Sequence, residues 1–168
     1  MKRKIVIEPY HEEYSSVNYY LIRFADEEES EFDKFFNKFD GDENFEDDFN
    51  ILIEWLDKIG EEGASDIHFR REGGNNLKAM PIETSKLRLY CFKVNDCIVI
   101  LGNGGYKKTR TYQEDPLLDK CVSDLRKVGW NLFKRFENST RASIYNCELL
   151  GDLQFEIETA EKTDYEKE

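Results

Sequence analysis

The stretch from Leu87 to Leu101 restricts the fold more than any other. Leu-Arg-Leu-Tyr-Cys-Phe-Lys-Val and Cys-Ile-Val-Ile-Leu flank Asn95-Asp96. Both flanks carry the apolar, aromatic and β-branched residues of strands, and Asn-Asp is good chemistry for a two-residue turn. So short a connection leaves only an antiparallel hairpin. Alternation then puts Arg88, Tyr90 and Phe92 on one face of it. In this register Cys91 lies opposite Ile100, not Cys97, so those two cysteines are poor disulfide partners and buried thiols are expected.

The other elements follow from periodicity. Lys4–Ile7 and Tyr19–Phe24 read as strands, the first interrupted by Glu8-Pro9. Phe32, Phe35, Phe36 and Phe39 recur at helical spacing, predicting a helix from about Ser30 that Gly41 and Asp42 break. Phe45, Phe49, Leu52, Ile53, Leu56 and Ile59 predict a second helix, ended by Gly60 and Gly63. Both stripes read as core-facing. His68–Asn76 is polar and glycine-rich, hence a loop. Ala79–Glu83 is a short strand candidate with Pro81 at an edge. Gly102-Asn103-Gly104-Gly105 and then Tyr106-Lys107-Lys108-Thr109-Arg110 follow the hairpin.

Asp115-Pro116 is an N-cap and N1 pair. The helix it opens carries Leu118, Cys121, Val122, Leu125, Leu132 and Phe136 on one face and Lys120, Arg126, Lys127, Lys134 and Arg135 on the other. Asn138-Ser139 ends that helix. Ala142–Leu150 and Leu153–Ile157 suggest a last hairpin around Gly151-Asp152. The expectation is an α+β fold, with two N-terminal helices and one later helix packed on a mainly antiparallel central sheet of about four to five strands. Residues 1–159 would form one domain and 160–168 a charged tail.

Composition excludes several classes. Hydrophobic residues are 39% and aromatic residues 14% of the 168, enough for a core and too many for wholesale disorder. No apolar run approaches the ~18 residues of a spanning helix. The start, MKRKIVIEPY, has no long apolar stretch or cleavage site and does not read as a signal peptide. The four cysteines make no CxxC pair and there are two histidines, which speaks against a Cys/His zinc site. A cytoplasmic protein with reduced thiols is expected. There is no GxxxxGK[ST], GxSxG or HExxH, and the GNGG run does not open a helix, so it is a weak phosphate-binding signal.

The net charge of −12 hides a split. Residues 11–62 hold eighteen acidic and four basic side chains, whereas residues 86–136 hold eleven basic and five acidic ones. A polyanion would be repelled by the whole and attracted to this stripe. Arg88 and the Lys107–Arg110 group sit on neighbouring β-segments, about 4.8 Å apart if paired. Converging cations fix phosphate and stabilise the extra charge of a pentacoordinate phosphorane, while aromatics such as Tyr90 offer faces to unpaired bases. Salt bridges from Arg88 to helix carboxylates, or an acidic helical layer lying on a basic sheet, are the structural alternatives.

Two helices, then a sheet carrying LRLYCF and IVILGNGGYKKTRTYQEDP, then a helix, resemble the RelE/HigB toxin superfamily, in particular its phage-derived HigB-like branch. Arg88 matches the family's strand arginine and Lys107-Lys108-Thr109 its later Lys-Lys-Thr, over residues 19–136. The resemblance implies a metal-independent endoribonuclease, without cofactor, that cuts mRNA, commonly on the ribosome, by attack of the RNA's own 2′-hydroxyl. It also implies an antitoxin, here expected to be a helix-turn-helix protein. Arg88 would contact the scissile phosphate, Lys107 or Lys108 would support it or act as base, and Tyr112 matches a tyrosine some members carry. His68, Arg70, Tyr90 and Arg110 would contact RNA. The chain is longer and more acidic than such toxins. Its additions would cover the sheet, mediate self-association into a homodimer, or mark a loss of catalysis. Two alternatives stay open: a non-catalytic module whose basic face docks RNA or an acidic partner, and an adaptor whose acidic N-terminal half mimics nucleic acid.

Overall fold

Among the described residues, strands and α-helices follow in the order β1 (Lys2–Pro9), β2 (Asn18–Phe24), α1 (Glu31–Phe39), α2 (Glu46–Glu62), β3 (Arg70–Arg71), β4 (Leu77–Met80), β5 (Leu87–Asn95), β6 (Ile98–Tyr106), α3 (Pro116–Phe136), β7 (Ala142–Tyr145), β8 (Glu148–Gly151) and β9 (Gln154–Glu158). They are seen in a computed structural model that describes residues 1–72, 74, 76–82, 85–138 and 141–160. Glu83 of the expected strand, Ser139 at the expected helix end, Gly73 and Asn75 of the polar loop and the charged tail from Glu161 lie outside the described residues. Among those residues, no helix is long and apolar enough to cross a membrane.

The α+β class holds, but the expected sheet is corrected. Seven strands, not four or five, lie in the order β3-β4-β5-β6-β2-β1-β9, and the sheet is mixed. The reason is β2, which runs parallel to β6, Asn18 beside Ile98 and Leu21 beside Leu101, while every other neighbouring pair is antiparallel. The expected last hairpin is corrected as well. β7 and β8 pair only with each other, and β9 returns to the main sheet beside β1. The β7–β8 turn uses Asn146 and Cys147, both at positive φ, a two-residue turn made without the usual glycine.

Helices cover both sheet faces. Odd and even positions of β2 go to different layers, as a strand's period of two requires. Tyr20, Ile22 and Phe24 join Tyr90, Phe92, Ile98 and Ile100 beneath α3 with Leu118, Val122, Leu125 and Val128. Tyr19 and Leu21 join Leu87, Leu89, Cys91, Val99 and Leu101 beneath α1 and α2 with Phe32, Phe35, Phe39, Leu52, Leu56 and Ile59.

Local chemistry sets the helix starts. Ser30 caps α1 by accepting from the Asp33 amide at 3.0 Å, and the Asp33 carboxylate accepts from the Ser30 amide at 3.4 Å. Asp115 caps α3 by accepting from the amides of Leu117 and Leu118 at 3.0 and 3.4 Å. Gly60 does not end α2, which runs on to Glu62; it lets the Tyr14 ring approach, since a Cβ there would lie 2.4 Å from that ring.

The cysteine expectation is also corrected. Cys97 and Cys147 form a disulfide with Cα atoms 5.6 Å apart. β-alternation ruled out only the local partner. Cys147 arrives from the β7–β8 turn, which is held to the sheet where the Asn18 amide side chain donates to the Cys147 carbonyl and the Leu149 amide donates to the Tyr20 hydroxyl. Cys91 is a buried free thiol, opposite Leu101 rather than Ile100 because the turn falls at Asp96-Cys97, one residue later than expected, with Asn95 paired to Ile98 and the register shifting between Lys93 and Asn95.

Candidate functional site

Arg88 sits near the start of β5, on the sheet face that α3 covers farther along. It is half-buried. Its Nη1 donates to the carbonyls of Ser85 and Leu87, the latter at 2.9 Å, and its Nε is buried without a hydrogen-bond partner among the described residues. Arg70 on β3 is anchored in the same manner, Nε to the Pro81 carbonyl at 2.7 Å and Nη2 to the Ile82 carbonyl at 2.9 Å. The two guanidiniums are near enough to act on each other. Burial first, and the Arg70 charge second, hold the Arg88 pKa below the ordinary arginine value, while Tyr90, Glu72 and Asp48 pull the other way. Glu72 and Asp48 act at a distance, and neither forms an ion pair with Arg88. The Arg88 charge is thus held by neutral carbonyls, at a cost in free energy that an anion beside it would recover.

The end of the β5–β6 ladder adds ammonium groups. Leu87 pairs with Tyr106 and Arg88 with Gly105, and the Lys107 amide donates to the Lys86 carbonyl at 2.8 Å. Lys86 and Lys107 therefore leave the hairpin side by side. Lys108 follows at the wall of a cavity. Thr109 donates its hydroxyl to the Thr111 carbonyl at 2.7 Å, and Arg110 is exposed.

Among the described residues Lys86, Arg88, Lys107, Lys108 and Arg110 make no ion pair. Elsewhere cations are matched: Arg3 with Asp26 and Glu27, Lys93 with Asp66 and Asp96, Lys120 with Asp124, Arg135 with Asp152. The acidic first turn of α2 does reach this edge, but Asp48 accepts from the Lys86 backbone amide at 3.0 Å.

The remaining sequence-derived residues lie elsewhere. Tyr90 is wholly buried and its hydroxyl has no partner among the described residues; burial pushes its pKa up. Its ring stands edge-on to Tyr112 at 6.2 Å. Tyr112 is buried too, and its hydroxyl accepts from Arg126 Nη2 at 3.1 Å. The two rings form an inner layer beneath α3, with no face open for a base. His68 lies on the α2 side, its Nδ1 3.2 Å from the Gly63 carbonyl, its Nε2 3.6 Å from Glu62 and its ring 6.0 Å from Trp55. The structure thus gathers Arg70, Arg88, Lys86 and Lys107 at one end of the sheet, and keeps Tyr90, Tyr112 and His68 out of that group.

The GNGG run has a structural task. It is part of β6, not a loop. A Cβ on Gly102 would lie 3.1 Å from the Tyr90 carbonyl oxygen, and one on Gly105 would lie 3.2 Å from Leu118. These glycines let β5 and α3 close on β6. Sequence reasoning did not find Arg126 as the Tyr112 partner, because only packing of α3 brings the two together. Among the described residues, no three His, Cys, Asp or Glu side chains gather as a metal site. Comparison with protein-family models, curated proteins and solved structures gives no match.

Proposed function

We propose that the cationic end of β3–β6 grips a backbone phosphate of single-stranded RNA, and that the chain acts as a RelE/HigB-like endoribonuclease held in check by an antitoxin. One observation supports the reading: Arg88 and Arg70 are preorganised by backbone carbonyls, and among the described residues Arg88 forms no ion pair. Donors fixed before the ligand arrives are what stabilise charge developing on a phosphorane. A guanidinium also suits phosphate better than an ammonium because its donors form a rigid fork.

In this reading the 2′-hydroxyl oxygen attacks the adjacent phosphorus and the bond to the 5′ oxygen breaks. The products are a 2′,3′-cyclic phosphate and a 5′-hydroxyl. Lys107 or Lys108 takes the 2′ proton, and the leaving oxygen gains a proton from solvent. Tyr112 and His68 are engaged elsewhere and take no part. mRNA, ribosome-bound or free, is the substrate class.

A second reading, a non-catalytic RNA-binding module on the same scaffold, is favoured by the burial of Tyr90 and Tyr112, which leaves Arg88 without a neutral acid–base partner. One experiment separates the two. The wild-type chain and Arg88→Ala are expressed without any antitoxin, and single-stranded RNA is incubated with each purified protein in EDTA. Growth arrest and cleavage, both relieved by Arg88→Ala, support the nuclease. Salt-sensitive retention of RNA without cleavage supports the binding module. A harmless protein that retains no RNA defeats both.

A further inference from the structure

We propose that single-stranded RNA held at Arg88 runs along the side of α3 that faces β3 and β4, and that Trp130 stacks on one of its bases; the inference rests on the RNA reading above. Strand pairing sets the track. Arg70 pairs with Ala79 and Ala79 with Tyr90, so Arg70 stands on the face that Tyr90 and Phe92 turn toward α3. Arg88, two residues before Tyr90, is on that face as well. The helix runs beside β5 in the same direction. Leu118 rests against Gly105, the ladder partner of Arg88. About three turns farther on, Gly129 lies against Phe92, whose ring a Cβ there would meet at 2.1 Å. Arg88 and Trp130 are therefore at two ends of one track, since Arg88 and Phe92 are about 13 Å apart along the strand.

Trp130 is open where its neighbours are occupied. It keeps 60% of its surface exposed. Phe133 stands edge-on to Phe92 at 5.2 Å and tilts against Phe136 at 5.9 Å. The other tryptophan, Trp55, is met by Lys58 at 4.6 Å and His68 at 6.0 Å. Among the described residues neither a ring nor a cation covers the Trp130 indole. It shares a cavity of about 220 Å³ with Leu77, Phe92, Phe133, Asn76 and Arg126. Small-ligand sites measure about 300–1,000 Å³, so this one suits the edge of a ring stacked on Trp130 rather than a ligand of its own. Unpaired bases stack on such rings with little regard to sequence.

Charge and continuity select the occupant. Arg126 and Lys127 precede Trp130 by four and three residues and Lys134 follows it by four, so cations flank the indole on the helix surface. Glu137 stands two turns beyond Trp130. Arg126 lies between the two ends of the track, where its Nη2 donates to the Tyr112 hydroxyl at 3.1 Å. The carboxylates whose charge reaches Tyr90, on the floor, are Glu72 and Asp115. Asp115 is the cap of α3, and Glu72 follows β3, its amide donating to the Leu77 carbonyl at 3.2 Å. Arg70, Arg88 and Arg126 outnumber these two. An exposed tryptophan beside an arginine also suits a protein partner, but a polyanion alone uses the guanidiniums and the indole along one line. This gives the protein an aromatic base site in place of the buried Tyr90 and Tyr112.

The test uses the full chain and two probes, a 2′-O-methyl RNA octamer, which lacks the attacking hydroxyl, and its abasic counterpart, each followed by fluorescence anisotropy. Trp130→Ala alters an exposed side chain. It is expected to weaken the RNA octamer on the order of 10-fold and to leave the abasic octamer unchanged, and Trp130→Phe should recover most of the loss. In a Trp55→Phe background Trp130 is the remaining tryptophan, and its emission should be quenched by the RNA octamer and not by the abasic one. Arg88→Ala should weaken both probes. If Trp130→Ala costs no RNA affinity or costs both probes equally, or if the quench is absent, Trp130 takes no base. Weakening of both probes by Arg88→Ala would then leave the phosphate reading standing. A wild-type chain that binds neither probe overturns both.

Discussion

A methyl group on Gly104 would sit 1.9 Å from the carbonyl oxygen of Arg88. Glycine is required there by backbone proximity, since no atom of Arg88's main chain can step aside like a flexible side chain. Gly104→Ala must therefore part β5 from β6 beside the guanidinium. Overpacking of this kind costs about 1–3 kcal/mol, which a urea titration would show as a lower midpoint. RNA retention should fall with it. An unchanged midpoint would mean the two strands are not so tightly apposed.

Arg88→Lys keeps the charge and removes the fork. The Nη1 bonds to the Ser85 and Leu87 carbonyls go with it. The lysine variant is expected to bind RNA nearly as poorly as Arg88→Ala. For the alanine variant, the slope of log affinity against log salt should shrink by about 0.7, one single-strand phosphate contact. Wild-type affinity in Arg88→Lys would reduce the role of this residue to bulk charge.

The disulfide should dominate the stability of the β7–β8 hairpin and contribute to the whole. Cys97 and Cys147 are 50 residues apart in sequence. Closing such a loop restricts the unfolded chain by up to about 4 kcal/mol at 25 °C in the chain-entropy account. Reductant, or a Cys97→Ser/Cys147→Ser double variant, should lower the urea midpoint, and the double variant should no longer respond to reductant. Equal midpoints with and without reductant would show that the bridge adds nothing in solution.

Asp66 ties β4 and β5 together from below. It accepts a hydrogen bond from Lys93 Nζ at 2.8 Å and lies 3.6 Å from Lys78 Nζ. The Lys93 hydrogen bond, then the Lys78 charge, hold its carboxyl below the ordinary 3.8. Burial alone would lower the Lys93 pKa, but its bonds to Asp66 and Asp96 raise it above 10.5. The carboxylate's stabilisation is full above pH 3.8 and fades as pH falls through the depressed native value. The ammonium's is full below pH 10.5 and fades as pH rises through the raised native value. Asp66→Asn should destabilise the protein between these limits, and its stability should converge on wild type at the acid end. A gap constant from pH 2 to 7 would assign the loss to something other than charge.

Alkaline unfolding has a separate origin. Burial pushes up the pKa of the Cys91 thiol and of the Tyr19 and Tyr90 phenols. The unfolded chain releases these protons near the ordinary 9.0 and 10.0 while the native one holds them. Stability should fall as pH rises past 9, and tyrosinate absorbance should then appear together with unfolding. Cys91→Ala would remove the earliest part of that fall.

The local elements were readable because their signals are local. The phenylalanine spacing and Ser30 fix α1, Asp115-Pro116 fixes the start of α3, and the short connection after Val94 fixes the central hairpin, although its turn falls at Asp96-Cys97 rather than at Asn95-Asp96. What escaped depends on partners distant in sequence. Nothing in Tyr19–Phe24 says that it runs parallel to β6, and nothing in Gln154–Glu158 says that it passes the neighbouring hairpin to join β1. Glycines at 102, 104 and 105 look like a loop unless one knows which backbone and side chain press on them. Alternation placed Arg88, Tyr90 and Phe92 together, but a strand pattern does not tell how far the covering helix extends. α3 seals Tyr90 and stops short of Arg88, so a shared face became one buried ring and one half-open cation. The cysteine bridge escaped for the same reason, since its second half comes from a different sheet.

The parallel seam between β2 and β6 bears on how the molecule assembles. The β5–β6 hairpin can zip up soon after its turn forms, because its partners are neighbours in the chain. Asn18, by contrast, has to wait for Ile98, with α1, α2 and three strands threaded between them. Closing so long a span gives no contacts until its ends meet. Refolding should therefore be gated by this one encounter, and β1 and β9, which lie outboard of it, should be the last part of the sheet to gain protection from hydrogen exchange.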